Sequence, residues 1–407
     1  MKTITLNFIA LLLLFASCTE DDKVDPIVDN PVVAPATYSF LRGGVESVQF
    51  GGQTTRIAMA SELISSIKDN TKTEAQLDAM FAHVEGSNDF SSGTVEENEA
   101  LNSSSKSVRS KTAASMDYFS TNSTDANAIK ADFDGWIANQ VTNVFPNWAT
   151  TATAGNPGKL QQAGGGSTRY INGKGLEYNQ AFAKSLIGAL MTDQILNNYL
   201  SLGVLDAGDN RINNDNDVIT SAAKPYTTME HKWDEAYGYL YGAEDNQAEP
   251  VLQADSFLNK YLYKVEVKAP FAGIAADIFN AFKLGRAAIV AKNYTVRDEQ
   301  IQIIKEKISK VIGVRAVHYL QAGIADIGTD YASSFHNLSE GFGFVYSLQF
   351  TRKPNSDSPY VSKSMVDTYL SQLMTGNGFW DVTPATLNQI SDAISQEFDF
   401  TTAEAAQ

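Results

Sequence analysis

Apolar residues recur at three- and four-residue spacing along most of the chain, the signature of helices that each bury one face. Ile57, Ala60, Ile64 and Ile67 form one stripe, ending before Asp69-Asn70. Thr71 and Glu74 have the spacing of a capping box, and Leu77, Phe81 and Val84 follow on one face. Ile129, Phe133, Trp136, Gln140 and Val144 predict a helix stopped by Pro146. Phe182, Leu186, Leu190, Met191, Ile195 and Tyr199 share a broad face. Phe271, Ile274, Ile278, Phe282, Gly285 and Ile289 keep the helical period, as do Ile301, Ile304, Ile308, Ile312, Arg315 and Tyr319. Thr383-Pro384 is a cap with proline at the first helical position, opening a helix through Leu387, Ile390, Ile394 and Phe398.

Between these stripes the pattern breaks. Asp89 to Lys111 is rich in Ser, Asn and Glu with little periodicity and predicts a long polar loop. Gly155 to Gly175 is glycine-rich. No alternating run bounded by turn signals reads as a strand, so the expected class is all-α. Asp206 to Asp217 is dense in oxygen side chains, which suggests calcium, but it lacks the alternating acids and terminal Glu of an EF-hand. A polar connection is the plainer reading.

The first residues change the picture. Lys2, the apolar stretch Leu6 to Phe15 and the small residues before Cys18 form a secretory signal, too short to span a bilayer. Leu14 to Cys18 resembles the lipobox of bacterial lipoproteins, which implies acylation of Cys18 and anchoring in the outer membrane; an ordinary signal with an unmodified thiol is the alternative. Thr19 to Lys23 is acidic, similar to a surface-display signal in Bacteroidetes lipoproteins and equally a solvated spacer. The expected organisation is a signal over 1–18, an acidic and Pro-rich tether over 19–37, and a helical body over 38–407, large enough for two packed bundles. The net charge of −16 repels phosphate backbones and argues against a nucleic-acid partner.

Candidate chemistry comes from a repeat. His231 to Tyr241 and His336 to Tyr346 both fit His-x-x-x-Glu-x-aromatic-Gly-aromatic-x-Tyr, six matched positions in eleven without a gap. His and Glu four apart lie on one helix face and can bind a transition metal together or hydrogen-bond each other. Two copies facing across a pseudo-twofold axis would bring His231, Glu235, His336 and Glu340 into one iron or zinc site, with Glu230 and Asp234 orienting the ligands. The other reading is structural. Glycine between aromatics suits close packing, and the His–Glu pairs suit buried polar groups at an internal axis.

Three segments carry a family resemblance: Gly51-Gly52-Gln53-Thr54-Thr55-Arg56, Met229-Glu230-His231 with Asp234-Glu235, and His336 with Leu338-Ser339-Glu340-Gly341. They resemble an imelysin-like family of Bacteroidetes lipoproteins, catalogued as domain of unknown function 4856, over nearly all of the mature chain. The resemblance implies two pseudo-symmetric four-helix bundles and a link to iron or haem acquisition, with a metal or haem uptake receptor as partner. Classical imelysins carry Gly-x-His-x-x-Glu, which is absent here; His231 has Asp234 at that spacing and Met229 two places before it.

Three functions follow as expectations. The first is an envelope lipoprotein, periplasmic or surface-exposed, that binds a ligand in iron, haem or other metal acquisition. The second is a metal-dependent, peptidase-like hydrolase, and the third a structural surface lipoprotein without a ligand. The chain has no His-Glu-x-x-His, no Gly-x-Ser-x-Gly and a single cysteine, which favours binding over catalysis.

Overall fold

A computed structural model describes residues 32–407. The signal, Cys18 and most of the tether lie outside the described residues. Within them the chain is helical, with two small two-stranded ribbons, so the all-α class holds. No described helix is long and apolar enough to cross a membrane.

The longest helix, Tyr294–Asp326, is capped by the Asn293 side chain, which accepts from Val296 N at 3.1 Å. Its stripe Ile301, Ile304, Ile308 and Ile312 is buried, as the spacing predicts. Helices Ile274–Ala291, Tyr331–Ser347 and Pro384–Glu397 pack around it. The Thr383 cap and Pro384 stand where the sequence places them. Glycines allow the closest crossings: a Cβ on Gly285 would lie 2.1 Å from the Trp233 ring, and one on Gly323 would lie 2.4 Å from Leu338. The buried apolar side chains form one cluster running from Tyr38 to Ala405, so the body has a continuous core.

Four local expectations are corrected. The capping box before Leu77 is Thr73 with Gln76, one pair later than Thr71 with Glu74. The stretch Asp89 to Lys111 carries helices Val95–Asn102 and Val108–Lys111; the first is too exposed to show an apolar stripe and is set by the Thr94–Glu97 box. Pro146 does not stop its helix. Ser123–Asn139 widens into i→i+5 turns over Gln140–Val144 and tightens into Phe145–Asn147, with proline in the first turn of that last piece. The glycine-rich stretch folds as a hairpin pairing Gly158–Gln161 with Thr168–Ile171, turned at Gly164 and Gly165, whose φ angles of 74° and 85° suit glycine.

The oxygen-rich stretch is a set of counter-ions. Asp206 pairs with Arg297 at 2.6 Å, Asp215 accepts from the Tyr294 hydroxyl at 2.5 Å, and Asp217 pairs with Lys292 at 2.8 Å. These carboxylates point to separate partners, so the plainer reading of a polar connection holds.

Candidate functional site

The two motif copies occupy helices Thr228–Tyr241 and Tyr331–Ser347. Both pack on one buried helical segment, which runs as α-helix over Tyr178–Leu186 and as i→i+5 turns over Ile187–Tyr199. The first copy meets its C-terminal half and the second mainly its N-terminal half.

In the first copy, His231 donates from Nδ1 to the Gln49 carbonyl at 3.0 Å, which leaves Nε2 as the acceptor nitrogen. Its ring stacks on Tyr226 with centroids 4.7 Å apart. Nε2 stands 4.0 Å from Glu235, beyond hydrogen-bond reach. Glu235 turns instead to Lys232, whose Nζ donates at 2.7 Å, and to Gln53, whose amide donates at 3.2 Å and also reaches the Tyr199 hydroxyl at 3.3 Å. Burial pushes the Glu235 carboxyl up, but the Lys232 ammonium outweighs it and holds the group below the usual range. Burial moves the His231 imidazole down, against the pull of Glu235.

The second copy repeats this plan with different partners. His336 Nδ1 meets Glu177 at 2.7 Å. Glu340 pairs with Lys184 at 3.1 Å and accepts from the Tyr261 hydroxyl at 3.4 Å. Burial raises Glu340, and Lys184, His336 and a hydrogen bond from Tyr319 reverse that, bringing it down to about 2.

The glycine of each copy, three residues after the glutamate, explains the shared pattern. A Cβ at Gly343 would lie 2.4 Å from Lys184 Cβ, and one at Gly238 would lie 2.4 Å from Phe50 and 3.1 Å from Gln53 Cβ. Glycine notches the helix there and admits a neighbouring segment. That segment delivers a polar side chain, Lys184 or Gln53, to the glutamate one turn away. The second aromatic of each copy then stacks on a tyrosine beside the same glutamate: Tyr239 on Tyr199 at 6.1 Å, Phe344 on Tyr319 at 5.7 Å. The Glu-x-x-Gly part of the repeat is therefore a packing and pairing device.

The four motif residues do not converge. Glu235 lies beside Tyr199 and Glu340 beside Lys184, fifteen positions apart on the same helical segment, or about 20 Å along its axis. Among the described residues no group of three or more His, Cys, Asp or Glu side chains is placed to hold a metal ion. Lysine holds one oxygen of each glutamate, and His336 is turned to Glu177. The donor set therefore does not fit a bare iron or zinc ion, and the expected single site from His231, Glu235, His336 and Glu340 is corrected to two separate clusters.

Glu230 and Asp234 face away from both clusters. Asp234 pairs with Arg286 at 3.0 Å and accepts from the Tyr38 hydroxyl at 2.7 Å; Glu230 pairs with Arg286 and Arg42, each at 3.0 Å. Arg286 is fully buried and also reaches Ser47. This network fastens the segment from Tyr38 to Ser47 onto the first motif helix, with Tyr38 stacked on Tyr237 at 3.6 Å. Expecting Glu230 and Asp234 to orient metal ligands is thus corrected: each directly precedes a motif residue, His231 or Glu235, and side chains one position apart on a helix do not face each other.

Lys184, Glu177, Tyr261 and Tyr319 complete the second cluster, and the repeat gives no signal for them, because they come from other elements. Lys232 lies inside the first copy, but its counterpart in the second is Asn337, so the match hides it.

No curated protein and no solved structure matches the chain. A family model matches residues 35–401, and by that match the chain belongs to the family described as a domain of unknown function (DUF4856).

Proposed function

We propose that this protein is an acyl-anchored envelope lipoprotein whose helical body binds a ligand in iron, haem or other metal acquisition, without catalysing a reaction. The observation that carries this reading is the pair of motif glutamates, each already neutralised by a lysine and flanked by tyrosine. Such carboxylates are poor general bases and poor ligands for a bare cation, because the ammonium competes for the same oxygens. A metal taken up by this body therefore arrives inside its own coordination sphere, as haem or as a chelate. The imelysin-like resemblance supplies the acquisition setting, and the lipobox-like Leu14 to Cys18 supplies the anchor.

The test is a titration of the purified mature chain with haemin, ferric citrate, zinc chloride and ferrous sulfate, read by absorbance and calorimetry. Saturable binding of haemin or ferric citrate with no stoichiometric uptake of the bare ions is the expected result. Stoichiometric zinc or iron that disappears in His231→Ala with His336→Ala would restore direct coordination. No binding of any of the four would leave a structural surface lipoprotein. Cys18→Ala tests the anchor separately: release into the soluble fraction, or arrest with the signal uncleaved, is expected.

A further inference from the structure

Next to the second motif cluster, a cleft of about 520 Å³ opens between helix Leu258–Glu266, with the turn after it, and helix Tyr294–Asp326. Lys264, Lys268, Arg315, His318 and Tyr319 line it, together with Gln407. Three cationic side chains and a histidine in one cleft are out of keeping with a chain of net charge −16. Among the described residues, none of the four has a carboxylate side chain as ion-pair partner.

Arg315 is the least satisfied of them. It is 3% exposed, and its Nε is buried and donates to nothing. Its guanidinium lies 4.4 Å from the Tyr319 ring and 5.4 Å from the Tyr261 ring, stacked and held in place. Nε is closed off from solvent, so it is the charge and planar fork of the held guanidinium, not the Nε hydrogen, that suit carboxylate or phosphate oxygens. Lys268 donates to the Gln407 backbone oxygen and stands 3.2 Å from His318 Nδ1. Burial, then Arg315, brings the Lys268 ammonium down to about 8; burial, Arg315 and Lys268 together bring His318 down to about 3. His318 is therefore a neutral ring at physiological pH, its Nδ1 set between the Lys268 ammonium and the Ala405 carbonyl, 3.3 Å away. Crowding of this kind is relieved by an anion.

We infer that this cleft binds a small, multiply charged anion through carboxylate or phosphate oxygens, seated on Arg315 and Lys268, with Lys264 at the exposed rim. The inference deepens the reading of the body as a binding domain, since a chelate with free carboxylates has this chemistry, and it rests on that reading.

The test uses the mature chain, with calorimetry and thermal melts against citrate and pyrophosphate, and sodium chloride at matched ionic strength as reference. Citrate or pyrophosphate at millimolar concentration should raise the melting temperature beyond the chloride reference and bind saturably. The preferred anion tells a carboxylate source from a phosphate source. Lys268→Gln should weaken binding by about tenfold or more. Arg315→Lys keeps the charge but loses the fork and should do the same. Should Arg315→Lys fail to fold, Lys264→Gln, at an exposed position, serves instead: its unliganded melt should match wild type and its affinity should fall. Two results overturn the proposal: no anion effect beyond chloride, as when the segment ending at Gln407 already fills the cleft, or full binding in the Lys264→Gln, Lys268→Gln double variant. Haemin binding that survives that double variant removes this cleft and leaves the acquisition reading standing. Citrate binding without any binding of haemin or ferric citrate does the reverse.

Discussion

Lys184 and Glu340 form an ion pair of 3.1 Å inside the protein, their side chains 8% and 11% exposed. The pair exists because residue 343, one turn beyond Glu340, is glycine: any Cβ there would strike Lys184 at its own Cβ. A sequence repeat that reads as chemistry is, at this copy, a way to bring a lysine to a buried carboxylate. The first copy does the same with Gln53 and Gly238. The histidines differ more: His231 bonds a backbone carbonyl, and His336 bonds Glu177.

The pair should behave as a unit. Lys184→Met strands Glu340 in the core and should lower unfolding stability by about 3 kcal/mol, the usual cost of breaking a buried pair from one side. Glu340→Gln alone should cost less, and the double variant should recover most of the loss. Urea unfolding of the four proteins at pH 7 gives the coupling energy. Strictly additive single losses would show that the two side chains do not depend on each other.

Acid should find the same pair. The folded-state pKa of Glu340 is held near 2, below the unfolded value of about 4.3. A depressed carboxyl contributes stability that is present above the unfolded value and lost as pH falls toward the folded one. Wild type should therefore lose up to about 3 kcal/mol from this group between about pH 4.3 and pH 2. Glu340→Gln should lack that part of the acid limb. Parallel acid limbs in the two proteins would count against the assignment.

Asp193 should show the opposite sign. It is fully buried, and its oxygens accept from Ala114 N at 3.2 Å, Ser115 N at 3.1 Å and Asn197 at 3.3 Å, with no cation bonded to it. Burial raises its pKa to about 7 against those hydrogen bonds. A raised carboxyl gives stability that is complete below the unfolded value of about 3.9 and lost as pH climbs through the folded one. Asp193→Asn keeps an acceptor oxygen and removes the charge. The variant should gain on wild type by about 3 kcal/mol between pH 4.5 and pH 8, measured by urea unfolding. A constant difference across that range would mean that Asp193 is already ionised at the lower pH.

The helical class, the buried stripe from Ile301 to Ile312 and the Thr383-Pro384 start were legible in the sequence, because period and caps act over a few residues and need no distant partner. The repeat was legible too, down to the glycines that allow close packing. Local pattern failed where exposure or hydrogen-bond widening took over. Val95–Asn102 has no apolar stripe because it has no buried face, and Ser123–Asn139 runs on past its expected stop by shifting to i→i+5 turns.

The site was decided by the tertiary structure. Sequence alone put His231, Glu235, His336 and Glu340 on matching helix faces, and only packing determines whether matching faces meet. Here both motif helices lie on one buried segment, about 20 Å apart along it, so the four groups separate. Their partners come from residues that are distant in the chain: Gln53 is 182 positions from Glu235, and Glu177 is 159 from His336. The cleft of Lys264, Lys268, Arg315 and His318 was invisible for the same reason. Its charges are spread over two helices and a turn, and an unpartnered guanidinium can be recognised only when every neighbour is in place.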